Sequence, residues 1–194
     1  MKGCIKYVSA VLILLAAVVM VCPVRGAEPP VTRSTVEYTV PQITLIRADG
    51  KSVSLPGELD DGRPVVINFV FTSCTTICPL LSQTFERLQA KLGADRDKVH
   101  IVSISIDPEQ DTPARLLEYA KRYNAGPEWD HYTGTTQAVL QAERAFNAFR
   151  GDKMNHTPLT LLRLEPGKPW IRFDGFVSAD ELAREIRSGV IDSK

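Results

Sequence analysis

Val65-Val66-Ile67-Asn68-Phe69-Val70-Phe71-Thr72-Ser73-Cys74-Thr75-Thr76-Ile77-Cys78-Pro79 is the stretch on which the architecture turns. Its first seven residues are an apolar run entered through Gly62-Arg63-Pro64, the pattern of a strand buried on both faces. Pro79, then Leu81, Phe85, Leu88 and Leu92 at helical spacing, closed by Gly93, predict a helix over 79–92. Two cysteines therefore sit at a strand-to-helix junction, where the N–H groups of a helix N-terminus stabilise thiolate. Residues four apart on a helix lie roughly 6 Å apart between α-carbons, near the upper end of what a disulfide spans. The same spacing lets two thiolates hold one metal ion, so it leaves redox and soft-metal chemistry both open.

Working outward, Ile43-Thr44-Leu45-Ile46 and Val53-Ser54-Leu55 flank Asp49-Gly50, a strong hairpin signal. His100 to Ile106 reads as the next strand, broken by Asp107-Pro108. Thr112-Pro113 is an N-cap with proline at the first helical position, opening a helix over 113–123. A short strand near 130–133 precedes a helix over 136–149. Leu159 to Leu164 and Trp170 to Phe173 bracket Pro166-Gly167 as a second hairpin. Ser178-Ala179-Asp180-Glu181 is a capping box for a last helix reaching about 188. Strand–helix alternation ending in a β-hairpin and a helix describes an α/β domain with a thioredoxin-like fold. It carries an N-terminal β-hairpin and an inserted β-α element, and the dithiol follows its first core strand.

The first 26 residues differ from the rest. Lys2 and Lys6 precede the apolar run Val8 to Val21, followed by Pro23 and Gly26-Ala27, as in a secretory signal peptide. The run falls short of the ~20 residues of a comfortable membrane span, and an uncleaved membrane anchor is the competing reading. Residues 27–40, with Pro29-Pro30, read as a linker, leaving 41–194 as the folded domain. The whole chain has 23 basic and 23 acidic side chains. Losing Lys2, Lys6 and Arg25 leaves 20 against 23, a formal charge of −3 that gives nucleic acid nothing to bind. Cys4 and Cys22 depart with the same segment, so Cys74 and Cys78 are the only thiols of the exported part. The loop they close is too short to stabilise a fold through unfolded-chain entropy, so the pair reads as reactive or metal-binding.

Thr72-Ser73-Cys74-Thr75-Thr76-Ile77-Cys78-Pro79, the run from Ser103 to Pro113 with its Asp107-Pro108-Glu109-Gln110-Asp111-Thr112-Pro113, and Asn155-His156-Thr157 together resemble the SCO/SenC family over roughly residues 40–190. The resemblance implies a thioredoxin-like protein on the outer face of an inner membrane, in the periplasm, that binds copper, Cu(I) or Cu(II), and assists maturation of the Cu(A) centre of cytochrome c oxidase. The partners it implies are a copper-accepting oxidase subunit or its assembly factors. It places Cys74 and Cys78 as thiolate ligands and His156 as the imidazole ligand. Thiolates select Cu(I), and an added imidazole nitrogen suits Cu(II). Family members often carry His before the first cysteine and Pro after it; here those places hold Ser73 and Thr75. Pro158 resembles the proline that, in cis, faces the dithiol of thioredoxin-type reductases.

The alternative is a periplasmic thiol–disulfide oxidoreductase with Cys74 as nucleophile and Cys78 resolving. A peroxiredoxin is disfavoured, because its Pro-x-x-x-Thr-x-x-Cys element is missing. His100 and His131 lie in strands without a motif and read as structural. Met154 is a soft thioether close enough to His156 to touch copper, although packing is the simpler expectation. Asp107 and Asp111 read equally as groups orienting the site or as strand-end and helix caps.

Overall fold

The computed structural model describes residues 30–191. Its centre is β4 (Val65–Val70), and every residue of this strand is buried. Because successive side chains point to opposite faces, Val66 and Val70 enter one apolar cluster and Val65, Ile67 and Phe69 the other. The first cluster is closed by α2 (Ile77–Leu92), α3 (Pro113–Arg122) and α5 (Ala179–Ile186). The second is closed by α1 (Leu55–Leu59) and α4 (Thr136–Ala145). Phe85 and Leu88 of α2 are wholly buried, and truncating such an aromatic to alanine costs about 3–5 kcal/mol. Helices on both faces explain why β4 reads as a continuous apolar run rather than an alternating one.

The remaining strands are β1 (Thr32–Val36), β2 (Thr44–Arg47), β3 (Ser52–Ser54), β5 (His100–Ser105), β6 (Trp129–Thr133), β7 (Leu159–Arg163) and β8 (Trp170–Asp174). They form one sheet in the order β1-β8-β7-β4-β5-β6-β2-β3. β4, β5 and β6 are mutually parallel; β7, β8 and β1 add antiparallel on one side, and the β2–β3 hairpin on the other. A mixed sheet with helices on both faces is the α/β, thioredoxin-like arrangement that the strand–helix order predicts.

The helix caps form as their sequences demand. Thr112 Oγ1 accepts from the Arg115 amide at 3.3 Å, and Ser178 Oγ accepts from the Glu181 amide at 3.2 Å. Three expectations need correction. The stretch 27–40, read as a linker, contains β1, paired with β8 from Thr32↔Asp174 to Val36↔Trp170. Helix α1 was not anticipated, and α4 ends at Ala145 rather than 149. Gly175, which follows β8, has φ +110° and passes so close to Val31 that a Cβ there would lie 3.3 Å from its Cα. The Gly175 amide donates to the Pro158 carbonyl at 3.0 Å, tying this turn to the segment that carries His156. Residues 1–26, the expected signal or anchor, lie outside the described residues, among which no helix is long and apolar enough to cross a membrane.

Candidate metal centre

The dithiol loop begins where β4 ends. The Cys74 amide donates to the Phe71 carbonyl at 3.1 Å, closing a tight turn before α2. The helix opens at Ile77, two residues earlier than its sequence pattern suggests, so Cys78 lies in its first turn and Cys74 just outside. Thr76, in the N-cap position, makes no side-chain capping bond. The sulfur of Cys74 serves instead, accepting the Cys78 backbone N–H at 3.4 Å. An amide that would otherwise lack a partner at the helix start is thereby satisfied.

Both cysteines are free thiols and both are buried, Cys78 completely. Their acidities are pulled apart. Burial pushes the Cys74 thiol up, but hydrogen bonds from the thiol and amide of Cys78 and from Thr76 outweigh it, leaving Cys74 below the ordinary thiol value. Burial and the bond toward Cys74 hold Cys78 far above that value. The structure thus supplies one activated sulfur and one reserve sulfur beneath it.

His156 follows a one-turn 3-10 segment, Lys153–Asn155, and precedes β7. The β4–β7 ladder runs only to Asn68↔Thr160, and the next carbonyl of β4, that of Phe69, meets His156 Nε2 at 2.9 Å. A carbonyl can only accept, so Nε2 carries the proton and Nδ1 keeps the lone pair a metal would need. Burial lowers the basicity of His156 and so favours the neutral ring, an effect that this bond partly offsets. Cys74 and His156 line one cavity of about 60 Å³, together with Phe71, Thr76, Lys153 and Met154. Cys78 is wholly buried and does not line it, and among the described residues no three His, Cys, Asp or Glu side chains converge in a ready-made cage. The donor set nevertheless suits copper: one thiolate-prone sulfur and one neutral imidazole share the cavity, and coordination deprotonates even a resistant thiol such as Cys78.

Two contacts hold this arrangement, and sequence spacing marked neither. Asp111, wholly buried, accepts the Thr72 amide at 3.1 Å, the Thr72 hydroxyl at 2.5 Å and the Ser105 hydroxyl at 2.6 Å. It is a clamp on the dithiol loop, and capping of α3 falls to Thr112. Lys153 Nζ donates to Asp107 Oδ2 at 2.6 Å and lies 5.8 Å from the centre of the Phe71 ring, pinning the His156 segment to the end of β5. The buried acids of the Asp107–Asp111 run were the one available signal. Met154 does not pack: it is 74% exposed at the cavity rim. No described peptide bond is cis, so Pro158 does not reproduce the reductase feature it resembles. His100 and His131 are buried away from the dithiol. His100 is bonded to the Glu58 carbonyl at 3.0 Å and to Asp130 at 3.1 Å, and His131 is stacked 5.1 Å from Trp129.

The SCO1/SenC family profile matches residues 32–190. The chain belongs to the SCO1/SenC family. It is 35% identical over 147 residues to the SCO1 protein homolog of Bacillus subtilis, a match covering 75% of this chain and 71% of that protein. Among solved structures, BsSco, a member of the Sco family of cytochrome c oxidase assembly proteins in which a disulfide switch was identified, superposes with a TM-score of 0.67. Their sequences are 31% identical, and the superposition covers 81% of this chain and 96% of BsSco. Copper-bound ScoI of Arabidopsis thaliana superposes with a TM-score of 0.64 at 25% identity, over 78% of this chain and 97% of that one.

Proposed function

We propose that this SCO-family chain binds copper through Cys74, Cys78 and His156 and assists copper delivery to, or maturation of, the Cu(A) centre of cytochrome c oxidase. The observation that carries this reading is the shared cavity, with the Cys74 sulfur and the neutral ring of His156 on its wall. Copper is cargo here. Cys74, already the more acidic thiol, gives up its proton first on binding, and Cys78 gives up its own only as the metal engages it. His156, oriented through Nε2, offers Nδ1 without having to lose a proton. Its work lies outside the cytoplasm, on the outer face of an inner membrane, with an oxidase subunit or an assembly factor as acceptor. The names of the relatives support this reading, as does the soft donor set.

A copper titration of the reduced protein, with and without His156→Ala, tests it. Tight one-to-one binding with thiolate–Cu(II) charge-transfer absorption, dependent on all three residues, is the expected result. Full affinity retained by Cys74→Ser or Cys78→Ser would retract the site.

A second reading, dithiol–disulfide reduction, is favoured by the divergent acidities of the two thiols. Cys74 thiolate attacks a target disulfide and its S–S bond breaks, releasing one target thiolate. Cys78, losing its proton to water, then attacks Cys74 and frees the second. Two electrons pass to the target, and the chain is left with a Cys74–Cys78 disulfide. The disulfide switch identified in BsSco is consistent with it. Both roles use the same thiols, and reduction of an acceptor's cysteine pair can precede copper delivery.

A further inference from the structure

We propose that Met154 is the entry and exit ligand for Cu(I), a thioether that takes the ion at the mouth of the cavity and exchanges it with Cys74. The proposal rests on the copper reading above. An isolated exposed hydrophobic side chain needs no explanation, and Leu80 and Leu117 are such cases, 46% and 43% exposed. Met154 differs in place and in chemistry. At 74% exposure it lies further into solvent than either, and it lines the same cavity as Cys74 and His156. Its backbone is anchored, since the Met154 amide donates to Asp152 Oδ1 at 2.8 Å and the neighbouring Lys153 is held by Asp107. The thioether is thus presented to solvent from a fixed support.

The three sulfurs then form a gradient. Met154 is accessible, neutral and soft, with no proton to lose, and thioethers favour Cu(I). Cys74 is buried on the cavity wall, and Cys78 is wholly buried and does not reach it. An ion arriving from solvent meets the weak, open ligand before the strong, closed ones. Exchange is balanced without an oxidant. Copper stays Cu(I), the Cu–thioether bond breaks as a Cu–thiolate bond forms, and the thiol proton passes to water. Release to an acceptor runs the same steps backwards.

The test is Cu(I) exchange between the full-length reduced protein and a coloured Cu(I) chelator, followed by stopped flow, for wild type and Met154→Leu. Leucine keeps the volume and apolarity of the side chain, and matched melting temperatures would verify the fold. The expected result is nearly unchanged equilibrium affinity with exchange slowed about tenfold in both directions, equivalent to about 1.4 kcal/mol at the barrier. Unchanged exchange rates in Met154→Leu, with tight cysteine-dependent binding intact, overturn the role of Met154 and leave the copper site standing. A wild type that takes up no Cu(I), or holds it undiminished after Cys74→Ser, overturns the copper reading and this proposal with it. Copper X-ray absorption of a Cys74→Ser/Cys78→Ser variant is a second check. Thioether scattering that disappears on adding Met154→Leu supports the assignment, and its absence from the double variant overturns it.

Discussion

The backbone N–H of Cys78 points at the sulfur of Cys74 across 3.4 Å, so the first cysteine accepts a bond that a serine or threonine cap commonly takes. The helix start and the thiol stabilise each other, and the benefit grows when the sulfur is negative. In the reduced protein, limiting iodoacetamide should alkylate Cys74 ahead of Cys78, with a pH midpoint below that of a free cysteine. In Cys78→Ala, which removes the thiol bond to Cys74, that midpoint should move up. Peptide mapping across a pH series reads both, and first labelling at Cys78 would contradict the assignment.

The clamp on the dithiol loop predicts a stability effect. Asp111→Ala leaves the Thr72 amide, the Thr72 hydroxyl and the Ser105 hydroxyl without their acceptor. An unpaired buried donor costs about 1–3 kcal/mol. The Ser105 hydroxyl is fully buried and the Thr72 donors are partly so, and urea unfolding should show a loss of about 2–3 kcal/mol. Asp111→Asn keeps the shape and an acceptor oxygen, and should lose less. Copper affinity should fall in both variants, because Thr72 sets the position from which Cys74 starts.

His156→Ala should weaken Cu(II) more than Cu(I). Two thiolates satisfy the soft monovalent ion, whereas Cu(II) draws more on imidazole nitrogen. Competition titrations in each oxidation state measure the difference. Equal losses in the two states would mean that His156 supports the fold through the Phe69 carbonyl and does not ligate.

Two buried groups make opposing demands on stability as pH changes. Burial pulls His131 down to about 4, below its unfolded value of 6.5, so its contribution to stability is complete above pH 6.5 and is lost as pH falls toward 4. Burial pushes Glu143 up to about 7 from 4.5, so stability falls as pH rises through that interval. Each spans about 3 kcal/mol, and across the shared interval they largely cancel. Glu143→Gln removes one side of the balance. Relative to wild type, its unfolding free energy should rise by about 3 kcal/mol between pH 4.5 and 7, measured by denaturant melts. A pH-independent difference between the two proteins would show that Glu143 is ionised in the fold.

Much of this was legible in the residues because its causes are local. The apolar run of β4, the helical spacing of Leu81, Phe85 and Leu88, the caps at Thr112 and Ser178 and the cysteine pair are all written within a few positions of one another. What escaped depends on distant partners. β1, Thr32-Arg33-Ser34-Thr35-Val36, has no apolar face of its own and is a strand because β8 supplies the hydrogen bonds. Asp111 meets Thr72 from 39 positions away, and Lys153 meets Asp107 from 46. Spacing rules cannot see such pairs. Met154 was misjudged for a related reason: apolarity predicts burial on average, but only the fold decides whether a loop turns a side chain inward.

The pairing of β1 has a consequence for how the molecule meets its surroundings. β1 runs against β8, β8 against β7, and β7 against β4. Three reversals bring the start of β1 to the same end of the sheet as the close of β4, where the dithiol loop departs. The polypeptide therefore enters the domain beside its own reactive mouth. Any tether upstream of Thr32 extends at most about 3.5 Å per residue, so a short one turns that mouth toward whatever surface holds it. For a domain held in that way, encounter with a neighbour in the same surface would be a search in two dimensions, at the high effective concentration that a leash confers.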